Sequence, residues 1–201
     1  RMSLITLPAG FRPATCFPSL FINDRANGSP YGGSEQVVDF LNDRWLLTCE
    51  LPPSPRLSEG AWREAFINNM RGRSNTVMLW HFTRFAPRGT MRGTLTLNAS
   101  AAQGASSIVV TGGAGQAGTT LLEGDMLGVG SLLLQVGADC TANGSGVVTV
   151  PIANRLRRAL SSGASVTWDK PTAEFRLATH SGVHYGPRSV SATSFDFVEK
   201  I

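Results

Sequence analysis

Lysine is almost missing from this chain: of its 18 basic residues only Lys170 and Lys200 are lysines. Charged residues make up 16% of the sequence, against about a quarter in an average soluble domain. A surface short of charge is suited to meeting protein rather than water. Arginine, the cation that remains, is enriched at protein interfaces, where lysine is depleted. A GC-rich genome produces the same bias, so composition leaves both explanations open. Cysteine is scarce too. Cys16, Cys49 and Cys140 are odd in number and widely spaced, which excludes a disulfide framework or zinc knuckle and predicts reduced thiols in a cytosolic setting. No apolar run approaches the roughly 18 residues of a membrane span. The opening residues lack the apolar core of a leader peptide, so neither membrane insertion nor export by a leader is expected.

Aromatic residues are missing from the middle of the chain. Of ten Phe, four Trp and two Tyr, only Trp168 falls between Thr94 and Lys170. That stretch is rich in Gly, Ala, Ser and Thr, and aromatic-rich sequence resumes beyond it. A composition that switches and then reverts predicts a discontinuous host domain, 1–93 plus 171–201, carrying an insert over 94–170. A hydrophobic content of 42% is enough for a core in each part.

In the host, Trp45, Leu47, Cys49 and Leu51 alternate with Leu46, Thr48 and Glu50, the period of a strand with one apolar face. Pro52, Pro53 and Pro55 end it. Ser58 reads as a helix N-cap, and Trp62, Ala65, Phe66 and Met70 follow at helical spacing, with Gly72 placed as the residue after the C-cap. Residues 76–82 read as the next strand, and Phe195, Phe197 and Val198 as part of the same sheet. Trp45, Trp62, Phe66 and Trp80 are the expected core. In the insert, 107–111, 126–129, 132–136, 147–150 and 166–168 read as short strands, and 152–160 as a short helix or loop exposing Arg155, Arg157 and Arg158. The fold class is therefore mainly β: a split β-barrel with one flanking helix and an inserted small β-barrel or sandwich.

Candidate chemistry is thin. Gly113, Gly115 and Gly118 spell GxGxxG, but Gly124 interrupts six residues on, no helical pattern follows, and Thr119 stands where a P-loop needs lysine. A flexible turn is the simpler reading. His180 and His184 have the spacing of helical metal ligands, yet Ser181, Gly182, Gly186 and Pro187 make the segment a loop. No GxSxG elbow is present, and Asp39, Asp43, Glu59 and Glu64 lie close to arginines, as solvated ion pairs do. The reading is neither an enzyme nor a cofactor or metal protein. Arg155, Arg157 and Arg158, like Arg71 and Arg73, lack the interleaved aromatics of a base-stacking surface, which argues against specific nucleic-acid binding.

A family likeness is carried by Ser29-Pro30-Tyr31-Gly32-Gly33-Ser34-Glu35-Gln36, Arg44-Trp45, Leu51-Pro52-Pro53, the helix over 62–70 and Arg71-Gly72-Arg73. In this order they resemble the distal tail (baseplate hub) proteins of long-tailed bacteriophages and related minor tail proteins. In the insert, Leu122-Glu123-Gly124-Asp125-Met126-Leu127, Arg155-Leu156-Arg157-Arg158-Ala159-Leu160 and Val166-Thr167-Trp168 resemble β-modules of phage virion proteins. The resemblance implies a virion protein, assembled in the host bacterial cytoplasm. It would form a ring, commonly a hexamer, that caps the tail tube, anchors hub or fibre proteins and lets DNA pass through its centre. Some relatives carry a sugar-binding insert. This one departs from them because Trp168 is its single aromatic, so a spacer or protein-docking role is expected. For such a ring, loop character and polar chemistry select Ser29, Pro30, Tyr31, Gln36, Arg71, Arg73, His180, His184, Tyr185 and Arg188 as subunit or partner contacts. The competing readings are a tail-tube or terminator protein, a carbohydrate- or receptor-binding module acting through the insert, and a hydrolase using His180 or His184.

Overall fold

The structure is a computed structural model and describes residues 3–28, 32–179 and 182–200. The chain begins with β1 (Leu4–Ile5), β2 (Thr15–Gly28), β3 (Glu35–Leu51), helix α1 (Leu57–Met70) and β4 (Thr76–Trp80). It continues through β5 (Leu95–Leu97), β6 (Ser107–Thr111), β7 (Thr120–Leu121), β8 (Met126–Val129), β9 (Leu132–Gln135), β10 (Cys140–Thr141), β11 (Val147–Pro151) and β12 (Ser165–Thr167). It ends with β13 (Thr172–Leu177), β14 (Tyr185–Gly186), β15 (Ser189–Val190) and β16 (Thr193–Glu199). The protein is mainly β with one flanking α-helix.

One six-stranded sheet, in the order β1-β4-β13-β16-β3-β2, curls into a half-barrel. Period-2 alternation on β3 and β16 turns Trp45, Leu47, Cys49, Leu51, Phe195 and Phe197 to its inner face, where Phe66, Ile67 and Met70 of α1 close over them. Phe11 fills the centre, with ring centroids 5.9 Å from Phe66 and 5.5 Å from Phe195, both edge-on, the geometry that ring quadrupoles favour.

The helix departs from expectation at its start and on its buried face. It starts at Leu57, the N-cap is Arg56 with no side-chain cap, and Ser54 rather than Ser58 shapes the entry by accepting a bond from Arg56 N–H (3.2 Å). At the other end Gly72 (φ 64°) follows the C-cap Arg71, itself left-handed at φ 46°, in the expected place. The buried face includes Gly60 and Arg63, whereas Ala65 is exposed. The reason is a second neighbour: α1 also packs on the β14–β15 ribbon, and a Cβ on Gly60 would lie 2.4 Å from the Tyr185 ring. Arg63 reaches over this contact to donate to the carbonyls of Pro52 (2.8 Å) and Ser191 (3.3 Å). Trp62 and Trp80 are half-buried, not core. Trp62 turns its Nε1–H to Glu59 (2.7 Å), and Trp80 lies beside Phe82 with centroids 4.8 Å apart.

The second sheet runs β11-β6-β5-β12-β8-β9. It closes on itself through an antiparallel bridge between Val136 and Ile152, flanked by Ala153 N–H to Gln135 O (2.9 Å) and Gly137 N–H to Pro151 O (2.8 Å). The resulting barrel is filled by aliphatic side chains, among them Leu95, Ile108, Val110, Leu127, Leu134, Val150 and Val166. Residues 152–160 are loop. Arg155 and Arg157 are not exposed as expected but half-buried, because each turns to carboxylates far away in sequence.

The two cores meet. Met126 and Leu133 of the barrel pack into the half-barrel core, and Trp45 donates its Nε1–H to Leu133 O (2.9 Å). Glu199, almost fully buried, accepts from Arg157 (2.5 Å) and from Trp45 N–H (3.0 Å). Desolvation pushes its carboxyl above the ordinary range even though Arg157 opposes the shift. Asp125 accepts three backbone N–H bonds, from Arg88 (2.7 Å), Gly89 (3.0 Å) and Leu122 (2.9 Å), tying the entry loop to the barrel.

Candidate assembly surface

Strands β2 and β3 pair from Thr15–Glu50 out to Gly28–Glu35, far past the point where β16 stops following β3, at Leu46. Beyond a bulge in which Ile22 of β2 faces residues 41–43 of β3, the pair continues as a two-stranded ribbon with no third strand among the described residues. In water an isolated hairpin of this kind is marginal. This one carries Ile22, Val37, Val38, Phe40 and Leu41 exposed, with Val37 59% and Phe40 47% accessible. Cross-strand pairing sets Val37 on one face and Val38 and Phe40 on the other, so both faces are apolar in part.

The arm is held at its root. Arg155 of the barrel loop bonds Asp39, lies 3.5 Å from Asp43 Oδ1, and gives its backbone N–H to Asp43 Oδ2 (3.1 Å). Asp39 and Asp43 sit four residues apart on β3, on the side that Arg155 faces. Outward from these contacts β2 forms the rim of the sheet, and its outward backbone groups have no strand partner among the described residues. Such an edge is a template for pairing with another chain. Phe17 on this strand is 71% accessible.

The residues selected from sequence fall in two places. Ser29, Pro30, Tyr31 and His180 lie outside the described residues. Gln36 is on the arm, exposed and opposite Asn27. Arg71, Arg73, His184, Tyr185 and Arg188 belong instead to the helix side. Arg73 donates to Ala178 O (3.1 and 2.6 Å), and Tyr185 gives its hydroxyl to Glu64 (2.8 Å). His184 is exposed and uses its carbonyl to accept from Ser191 N–H (3.0 Å). Arg188 is exposed in the β14–β15 turn. Arg71 and Arg73 follow the C-terminal end of α1 while Tyr185 packs on its first half against Gly60 and Glu64, roughly 10–15 Å away along the axis. The set does not form one patch, and the apolar arm residues were not in it.

The remaining polar features are engaged structurally. The Gly113–Gly118 segment is a loop with one turn of 3-10 helix, Ala114–Gln116, and Gln116 accepts from Arg92 N–H (2.9 Å). His81 lies just past the end of β4, and its Nδ1 accepts from Arg84 N–H (3.0 Å). Burial, with Arg84 nearby, lowers its pKa. Cys16 and Cys49 are directly opposed on β2 and β3 with sulfurs 3.9 Å apart. The bond from Cys49 lowers the Cys16 pKa and raises that of Cys49, which burial raises further. Trp168 spends its Nε1–H on Gly93 O (2.8 Å), and its ring is faced by the Arg92 guanidinium at 5.0 Å. Among the described residues no three His, Cys, Asp or Glu side chains cluster as a metal site, and no helix is long and apolar enough to cross a membrane. No protein-family model matches the sequence, and no curated protein matches it.

Proposed function

We propose that this chain is a structural subunit of a bacteriophage tail, assembling as a ring, a hexamer in the simplest case, at the distal end of the tail tube. The tube protein binds one side of the ring and hub or fibre proteins the other, and DNA passes through the centre without specific contacts. The observation that carries the reading is the β2–β3 arm, a ribbon with apolar side chains on both faces that only a partner chain can cover. The sequence likeness to distal tail proteins supplies the kind of particle. In this reading the protein is not an enzyme, and the barrel is a spacer or docking module. The engaged indole of Trp168 disfavours a sugar-stacking role. Subunits of a tail tube or terminator would use such an arm equally well, and copy number per particle separates them: one or two rings against dozens.

Electron microscopy of the purified chain tests the proposal. The expected result is closed rings with more than about 2,000 Å² buried per subunit contact, as obligate interfaces require. A protein that remains single at the highest attainable concentration, and is absent from particle tails, would overturn it.

A further inference from the structure

The arm needs a receptor, and a second apolar surface of the same chain has the matching chemistry. Between the segment before β2 and the loop after β4 lies an open depression of about 420 Å³ floored by Phe11 and Trp80 and walled by Pro13, Phe82 and Phe85. Phe85 is 51% accessible. Its remaining lining residues are Arg12 and Lys170, two cations and no carboxylate, and neither takes part in an ion pair among the described residues. The arm has the opposite balance. Beyond the bulge it carries Asp24, Glu35 and Asp39 against Arg25 alone, and with Asp39 taken by Arg155, Asp24 and Glu35 remain outside any ion pair among the described residues.

We infer that the depression is the seat for the arm of a second copy of this chain. Its own arm cannot fill it. The depression adjoins the first residues of β2, and the ribbon runs away from there for 14 residues, roughly 40 Å at about 3.3 Å per residue. Donor and receptor therefore sit apart along one strand pair, the donor residues beginning roughly 25 Å from the seat at about 3.3 Å per residue. Such a contact is heterologous: each copy gives its arm to one neighbour and receives one from the other, and a ring results if the rotation closes. Apolar side chains supply the attraction, while Arg12 and Lys170 facing Asp24 and Glu35 set orientation and on-rate. The inference rests on the ring reading only for its number of copies; a reciprocal exchange between two copies uses the same seat.

Complementation tests it. An arm variant, Val37→Ser with Phe40→Ser, keeps the seat. A seat variant, Phe85→Ser with Lys170→Glu, keeps the arm. All four positions are exposed, so both variants are expected to melt like the parent. In sedimentation velocity each variant alone should run as a monomer, its self-association weakened roughly tenfold or more per anchor residue lost. An equimolar mixture should give a heterodimer and nothing larger. A seat variant that assembles like the parent overturns the inference and leaves the ring reading standing. A parent that forms only a closed dimer, abolished by either variant, supports the seat and overturns the ring. A monomeric parent overturns both. Should a variant misfold, a photoreactive benzoylphenylalanine at Phe40 in otherwise native protein, mixed with a heavy-isotope copy, decides the matter. Cross-links to heavy peptides bearing Arg12 or Phe85 support the inference; cross-links confined to β2 of the heavy copy refute it.

Discussion

The half-barrel and the barrel are two answers to the same difficulty, a sheet that must end somewhere. The barrel joins its outer strands through Val136 and Ile152, and aliphatic side chains fill the small interior that results. The half-barrel leaves the outer edge of β2 without a strand partner among the described residues and lets two strands overshoot the core. It also holds nearly all the aromatic residues. A closed sheet hides its backbone groups and has nothing left to join with; an open one retains them as a means of joining. The barrel also grips the root of the arm through Arg155.

The largest effects should come from the half-barrel core. Phe175→Ala, at a site fully buried on β13, is expected to cost about 3–5 kcal/mol by urea denaturation. Leu134→Ala in the barrel should cost about 2–5 kcal/mol. Because Met126 and Leu133 join the two cores, both variants should shift a single transition; separate melting of the two sheets would break the comparison at its base.

Glu199→Gln comes next. The amide takes a charged acceptor from Arg157 in a largely buried site, but burial already disfavours the ionised acid, so the net loss near neutral pH should be about 1–3 kcal/mol. Its pH dependence has a definite sign. The folded pKa is raised, so the folded state binds more protons than the unfolded one between the ordinary carboxylate pKa and the raised value. Parent stability from this group therefore increases as pH falls through that window and decreases as pH rises, and the glutamine variant should lack the slope. An unchanged slope in chemical denaturation across that window would remove Glu199 from the account.

Gly60→Ala sets a methyl against Tyr185 and Val190 and should cost about 1–3 kcal/mol through overpacking, read as a lower thermal midpoint. A loss of similar or smaller size, about 1–2 kcal/mol, is expected from Arg155→Ala: the pair with Asp39 is partly solvated, but Asp43 is buried and loses its cation while keeping the Arg155 N–H bond. Its signature is local: faster amide exchange over residues 35–44 with the barrel strands unchanged.

What could be read from sequence followed from burial. The inner half of β3, α1 and most barrel strands have one wet and one dry face, so their period survives in the chain. The arm has no such record: with both faces open, Glu35-Gln36-Val37-Val38-Asp39-Phe40-Leu41 shows no clean alternation, and the strand reading started only at Trp45. Pro18 masked β2, because proline argues against a strand except at an edge, where its missing N–H is harmless. Arg155 and Arg157 looked like an exposed basic run because their partners, Asp39, Asp43 and Glu199, are brought close only by the tertiary fold. Arg63 was invisible for the opposite reason, a cation buried among neutral carbonyls. The contact residues chosen from sequence were polar and in loops, whereas the surface that most requires a partner is an apolar strand pair.

The bond from the Trp45 indole to Leu133 has a consequence for anyone wishing to exchange the middle segment for another module. Excising residues 94–170 and suturing the ends would strip that indole of its acceptor, orphan Asp39 and Asp43, and open a hole where Met126 had been. The middle segment is thus a keystone rather than a cassette, and grafts that ignore it should yield insoluble chains even when the splice points look harmless.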